Sequence, residues 1–441
     1  MIEGADRLGS TPERQLALEC LEAGIRSARP DTVVQETVAV EDGHLVVQGT
    51  RYALDDFEEI VVVGGGKAAA GVAAALEEVL GDQLGRGAVV TNDPRPTTRV
   101  EVIEGDHPVP SERGVEGARR VLSLARDADE HTLVLAVITG GASALLPAPA
   151  EEISLADLQA VTNALLESGA TIHEINAVRK HLSAIKGGRL AQAAAPGTVV
   201  GLIFSDVVGN DLDVIASGPT APDASTYAEA QAVLDRFGID PPASVRDRLD
   251  RGTAGEIEET PRGEDPVFER VRNFVLADGM TAIEAADAVA EGAGYGSVIL
   301  SSRIRGEARE AAKTQVAVAE EVLATGNPHE PPVVILSGGE TTVTVRGDGE
   351  GGPNQEFALS AAIELAAGDV VVASVDTDGS DGATEAAGAI VDVTTVDDPD
   401  RAREALARND AYPYLGGRGA LVTTGPTGTN VNDLRVVVVG D

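Results

Sequence analysis

The sequence predicts an α/β protein with a parallel N-terminal sheet and a second α/β region after it. Two observations carry this prediction. Short apolar strands alternate with alanine-rich helical stretches, and most of those strands run into loops rich in Gly, Ser, Asp or Pro. No short-period repeat accompanies the alternation, and 441 residues suffice for two domains or three.

The elements follow in order. Thr11 is placed to cap a first helix, Pro12 suits its first position, and Leu18, Leu21 and Ile25 recur at helical spacing. A hairpin is expected from Val33–Val40 and His44–Gln48 about Asp42-Gly43. Strands are expected at Ile60–Val63, Ala88–Thr91, Leu133–Thr139 and Val199–Phe204. Arg251–Asp265 is polar, acidic and poor in apolar residues, so it reads as the boundary between domains at 1–255 and 266–441. Beyond it, strands are expected at Phe274–Ala277, Ser297–Leu300, Val333–Leu336, Val370–Val375, Ala389–Val393 and Arg435–Val439.

Charge excludes some functions. The chain has 72 acidic against 34 basic side chains, a formal charge of −38, which rules out a nucleic-acid binder with a general basic surface. It also argues against attachment to an anionic membrane, and no apolar run approaches the roughly 20 residues of a membrane-spanning helix. Cys20 stands alone, so no internal disulfide forms, and the first residues lack the basic and apolar regions of a signal peptide. The expected location is cytoplasmic. Lysine occurs only at 67, 180, 186 and 313; this scarcity with abundant carboxylates predicts a protein adapted to molar salt, where the Debye length falls to about 3 Å.

Several loops carry candidate chemistry. Gly64-Gly65-Gly66-Lys67 follows a strand and opens a helix, so backbone amides and one mobile ammonium are expected to meet an anion. Gly64-x-Gly66-x-x-Ala69, with Asp93 ending a later strand, also fits a relaxed dinucleotide fingerprint. Gly140-Gly141-Ala142-Ser143 repeats the anion-loop pattern, or is a serine-capped helix start; no His/Asp partners point to Ser143 as a nucleophile. Asn176, Arg179, Ser183 and Lys186 are predicted to share one helical face in the most basic stretch of the chain, which also holds Lys180. Asp206 follows a strand, where a general base or a magnesium ligand is usefully placed. In the C-terminal half, Ser337-Gly338-Gly339-Glu340, Asn354-Gln355-Glu356 and the Asp376, Asp378, Asp381 group are the candidate loops.

Eight blocks together resemble the class II glycerate kinases, whose C-terminal part is the MOFRL domain. They are GGGKAAAG from Gly64, TGGASALLPAP from Thr139, SGATIHEINAVRKHLSAIKGGRLA from Ser168, SDVVGNDLDVIASGPTAPD from Ser205, LSGGETTVTV from Leu336, GGPNQE from Gly351, TDGSDGATEAAGA from Thr377 and TGPTGTNVNDL from Thr424. They stand in family order over most of the chain. The resemblance implies ATP-dependent phosphorylation of D-glycerate, in many members at the 2-hydroxyl. It also implies a larger Rossmann-like N-terminal domain, a smaller C-terminal α/β domain with a MOFRL region at about 332–437, and an active site in the cleft. The family lysine corresponds to Lys67. Where the family often has arginine this chain has Pro353, which cannot hold a phosphate; either Arg179, Lys180 or Lys186 takes that role or the site differs here.

On this basis Lys67 is expected to steady the transferring phosphoryl group and Asp206 to accept the substrate proton. Gly65, Gly66, Gly140, Gly141, Ser143, Asn176, Arg179, Lys180 and Lys186 would hold glycerate or phosphate anions. Gly338, Gly339, Glu340 and Asn354 would close over the nucleotide, with Asp378 and Glu340 on Mg²⁺. A homo-oligomer is compatible with the sequence. Two other readings stand beside this one: an NAD(P)-dependent hydroxypyruvate reductase, and a non-catalytic phosphosugar-binding protein.

Overall fold

The computed structural model describes residues 1–366 and 368–440. The chain forms two compact units, one of Val33–Leu276 and the other of Met1–Thr32 together with the chain from Ala277 onward. This differs from the expected division at 255–266. Arg251–Asp265 is no linker, because its polar groups satisfy buried partners inside the first unit: Thr260 donates to Asp223 Oδ2 at 2.8 Å, and Pro261 O accepts from the Asp223 amide at 2.9 Å. The strand expected to open the second domain is instead an edge strand of the first sheet.

The Val33–Leu276 unit begins with an antiparallel three-stranded sheet, β1 (Val38–Glu41), β2 (His44–Val47) and β3 (Thr50–Ala53). Asp42 and Gly43 have φ of 49° and 72°, the paired positive values of a two-residue hairpin turn. The first strand is shorter than expected because Pro30–Thr37 is helical and buries Val33 and Val34.

The main sheet contains β4 (Glu59–Gly65), β5 (Arg86–Thr91), β6 (Val100–Glu104), β7 (Thr132–Ile138), β8 (Thr198–Phe204) and β9 (Val271–Ala277). Among the described residues its order is β6-β5-β4-β7-β8-β9, with β6 through β8 parallel. The central strands β4 and β7 are apolar and buried on both faces, as parallel strands covered on both sides must be. Their register matters for the site. Gly65 lies opposite Ile138, and Ile138 opposite Ile203, so the loops after β4, β7 and β8 leave the sheet side by side.

The other unit holds β10 (Gly296–Glu307), β11 (Val333–Thr342), β12 (Val370–Asp376), β13 (Gly388–Asp392), β14 (Leu421–Val422) and β15 (Asp433–Val439), in the order β10-β11-β15-β12-β13-β14. Only the β10–β11 pair is parallel among the described residues. The N-terminal helix Pro12–Ser27 belongs here. Thr11 caps it by accepting the Arg14 amide, its stripe Leu18, Leu21 and Ile25 is buried, and it packs on β15, β12 and the helix Gly279–Gly292. Arg14 then reaches Asp392 on β13 at 2.5 Å. No described helix is long and apolar enough to cross a membrane.

Because Leu21 is fully buried in that contact, Leu21→Ala is expected to lower stability by about 2–5 kcal/mol. Limited proteolysis should then cut first beyond residue 277; early cuts within 33–276 would contradict the assignment of this helix.

Candidate active site

Three adjacent loops build the centre of the site. Gly64 and Gly66 have φ of 141° and 131°, and a Cβ on them would lie 1.8 Å from Val137 O and 2.1 Å from Thr139 Oγ1. Only glycine lets the loop after β4 approach the one after β7 this closely. The two loops then interlock: Thr139 N donates to Gly65 O (3.1 Å), Lys67 N to Gly140 O (2.8 Å) and Ala68 N to Thr139 Oγ1 (3.1 Å), while Gly66 N reaches Val90 O (2.9 Å). The expected role of Gly65 and Gly66 as an amide cradle is therefore corrected. The amides from Gly66 to Ala68 are committed to the protein, and what the loop presents is the Lys67 side chain.

That side chain lies beside the second loop. A Cβ on Gly141 would come within 3.1 Å of both Lys67 Cγ and His107 Cδ2, and one on Gly140 within 2.4 Å of Asp206 Oδ2. Asp206, just past β8, is thus packed against Gly140, within the field of Lys67 and hydrogen-bonded by the Gly141 amide. Burial pushes its carboxyl above the usual range; its own amide, Lys67 and the Gly141 amide pull the other way but do not cancel the rise.

A cavity of about 330 Å³ opens next to this centre, with Gly141, Ser143, Arg179, Ser183 and Lys186 among its lining. The helix expected to run through Lys186 ends at His181, so Ser183 and Lys186 reach the cavity from the following turn. Lys186 is buried, and its Nζ donates to Ser143 O (3.1 Å) and Ala216 O (3.3 Å), leaving one of its three donors. Burial, with Arg179 and Lys180 nearby, lowers its pKa to about 7. Arg179 is half-buried, is lowered by burial alone, and meets no carboxylate among the described residues. Two desolvated cations without a counter-charge make this end of the cavity receptive to an anion.

Two predicted anion ligands are used elsewhere. Lys180 points away, into a buried ion pair with Asp213 and Asp223, the latter at 3.2 Å. Asn176 accepts from Ser217 Oγ at 2.8 Å and holds a turn in which Ala216, Ser217 and Gly218 have φ of 53°, 61° and 64°. Such a turn costs on the order of 1–3 kcal/mol per strained non-glycine residue, and Asn176 and Lys186 together fix it. His107 was not predicted; it carries no motif, and only the folded chain brings it against Gly141.

Residues 16–250 match a family described as a domain of unknown function (DUF4147), and residues 333–433 match the MOFRL family. The chain is 40% identical to the glycerate 2-kinase of Pyrococcus horikoshii over 436 residues, covering 97% of each. The crystal structure of the glycerate kinase from Thermotoga maritima superposes with a TM-score of 0.85 at 39% identity, covering 96% of this chain and 99% of that one. The chain belongs to the glycerate kinase family. An Agrobacterium vitis relative, 44% identical over 86% of this chain and 87% of its own length, is named a putative hydroxypyruvate reductase.

In this glycerate kinase family member the C-terminal candidates serve the fold. Gly338 and Gly339 do not form a nucleotide loop, because they lie inside β11, paired with β15, and a Cβ on Gly339 would meet Ile304 O at 2.1 Å. Their glycines permit close strand packing. Glu340 is an exposed residue of the same strand. Pro353 takes the first position of the helix Pro353–Glu364, which needs no amide there. Asn354 is buried and committed: its Nδ2 donates to Asp433 Oδ1 (2.7 Å) and Asp381 Oδ1 (3.2 Å), and its Oδ1 accepts from Ser374 (2.6 Å). Asp378 closes a turn by accepting from Ser380 N and Oγ at 2.9 and 3.0 Å. Among the described residues no group of three or more His, Cys, Asp or Glu is arranged to hold a metal ion, and the two residues expected on Mg²⁺ stand apart in kind, Asp378 in a turn and Glu340 on β11. Burial raises Asp381 to about 7 and Asp376 well above its usual value, with the neighbouring carboxylates adding to both.

The two buried lysines are expected to behave differently. Lys180→Met leaves Asp223 buried and unpaired, so it should destabilise by about 3–5 kcal/mol. Lys186 has a folded pKa of about 7 against an ordinary 10.5, so the unfolded chain binds more protons between these values and stability rises with pH there. Denaturant midpoints at pH 7, 8 and 9 should show a gain of up to about 1.4 kcal/mol per pH unit. Lys186→Met should flatten it, and an unchanged slope in that variant would contradict the burial of the charge.

Proposed function

We propose that this chain transfers the γ-phosphoryl group of ATP to the 2-hydroxyl of D-glycerate, giving 2-phosphoglycerate and ADP. One observation carries the reading: a carboxylate raised by burial, Asp206, lies in the field of the Lys67 ammonium, next to a cavity where Arg179 and Lys186 await an anion. Phosphoryl transfer asks chiefly for positioning and charge neutralisation, and these parts supply both. The Pyrococcus horikoshii relative is a glycerate 2-kinase by name, which supports the same substrate and position.

Arg179 and Lys186 would bind the anionic groups of the substrates, and Ser143 and the Gly140-Gly141 backbone would line the approach. Asp206 would take the proton of the attacking hydroxyl as its oxygen bonds to the γ-phosphorus and the bond to ADP breaks. A base whose pKa is raised toward neutrality suits that proton transfer better than an ordinary aspartate. Lys67 would offset the negative charge on the phosphoryl oxygens. The carboxylates of Asp381 and Asp433 do not fit a magnesium cage, since they already accept from Asn354, Gln355, Thr341 and Arg435. Magnesium would arrive with ATP, held mainly by its phosphates and water. The setting proposed is a cytoplasm at molar salt.

Purified protein with D-glycerate, Mg²⁺ and ATP in concentrated KCl should release ADP, and enolase should convert the product to phosphoenolpyruvate without phosphoglycerate mutase. No ADP release would overturn the proposal, and NADH oxidation with hydroxypyruvate would install the reductase reading instead. Lys67→Ala should abolish turnover with an unchanged melting curve. Asp206→Asn should lower kcat by about 10²–10⁴, and the wild-type acid limb of kcat/KM should lie above the ordinary carboxylate range. Retained activity in either variant would remove that residue from the mechanism.

A further inference from the structure

The cavity beside Lys67 is much larger than a three-carbon acid requires, at about 330 Å³, and its two ends differ in chemistry. The inner end holds Gly141, Ser143, Arg179 and Lys186. The outer part is a slot between the segment Pro108–Pro110 and the helix Leu155–Glu167, with His107, packed against Gly141, where the two parts meet. From the helix come Leu158, Thr162 and Leu166, which share one face at spacings of four. From the segment come Pro108, Val109 and Pro110. The walls are tied together where Gln159 Nε2 donates to Pro110 O at 2.6 Å.

Val109 and Leu166 are 55% and 59% exposed and, unlike the other exposed large apolar side chains such as Val345, line one shared cavity. Large apolar side chains left open around one concave site mark a binding surface. Glycerate has no apolar part to place there. A nucleotide does, because its base is flat and largely apolar while its phosphates need cations. The C-terminal glycines expected to receive the nucleotide are closed inside β11.

We infer that this slot receives the purine base and ribose of the donor nucleotide, with its phosphates directed inward to Arg179, Lys186 and Lys67. The base stacks between the Val109–Pro110 wall and the Leu158/Leu166 face, and Thr162 and the exposed Asn163 supply polar contacts at the rim. The inference rests on the phosphotransfer reading above and adds to it the place of the nucleoside.

The test is the double variant Val109→Ser with Leu166→Ser, which adds no charge and alters two exposed positions, so that folding is preserved; a thermal melt checks this. Titration calorimetry compares the imido analogue of ATP with inorganic tripolyphosphate, and steady-state kinetics gives KM for ATP and for D-glycerate separately. The expected result is a loss of about tenfold or more in affinity for the imido analogue. The ATP KM should rise in parallel, with tripolyphosphate binding and the D-glycerate KM unmoved. An equal loss for tripolyphosphate, a rise in the D-glycerate KM alone, or no change in any of these values would overturn the inference. The calorimetry needs no turnover, so absence of glycerate phosphorylation would count against the proposed reaction while leaving the slot to be judged by its own measurement.

Discussion

The site depends on the close approach of the loops after β4 and β7. Val137 O and Thr139 Oγ1 would lie 1.8 and 2.1 Å from Cβ atoms on Gly64 and Gly66, so any other residue would force the loops apart. With glycine there, three hydrogen bonds lock Gly65, Lys67 and Ala68 to Thr139 and Gly140. This interlock turns the amides of the Gly-rich loop inward. It also directs the Lys67 side chain toward Gly141, and Gly140 gives Asp206 room to pack against the same backbone. Anion recognition therefore falls to side chains, and the positions of those few side chains set the chemistry.

A net charge of −38 makes that arrangement demanding, since both proposed substrates are anions. At molar salt the field of the surface carboxylates is screened within about 3 Å, but buried charges are screened far less. Arg179 and Lys186 occupy partly and fully buried positions, where an interaction with a phosphate or carboxylate is strengthened by the low local dielectric and would draw the Lys186 proton, held with a pKa of about 7, back onto the amine. Lys186 is kept there by the carbonyls of Ser143 and Ala216, the latter in a strained turn that Asn176 also secures. Lys180, only six residues away, is neutralised by Asp213 and Asp223 and supports the fold. Lys180 and Lys186 thus divide between an ion pair and the cavity wall by the direction in which each leaves one short segment.

Much of the architecture was legible in the residues. Apolar runs at Ile60–Val63 and Leu133–Thr139 became β4 and β7 because they are short, rich in Val and Ile and followed by glycine, as strands buried on both faces are. Thr11, Pro12 and the Leu18–Leu21–Ile25 stripe located the start of the first helix and its buried face. That stripe shows that one face is buried but not against what, so the helix was assigned to the wrong unit. The candidate site was legible in part. Lys67 and Asp206 meet at Gly140 and Gly141, and Arg179 and Lys186 line the cavity that Gly141 also lines, whereas Gly338 and Gly339 were misjudged because a phosphate loop and a crowded strand ask for the same residue. Helical-face reasoning failed at Ser183 and Lys186 because the helix stops at His181. His107 had no sequence signal, since its position comes only from tertiary packing.

The account stands on the electrostatic link between Lys67 and Asp206 that the interlocked loops create. Isotope-edited infrared titration of the Asp206 carboxyl, assigned with Asp206→Asn, measures it directly. The account predicts a midpoint above the ordinary aspartate range in the wild type, and a further rise in Lys67→Met, where the one side-chain charge opposing the effect of burial is gone. A midpoint in the ordinary range, or one that Lys67→Met leaves unmoved, would contradict it.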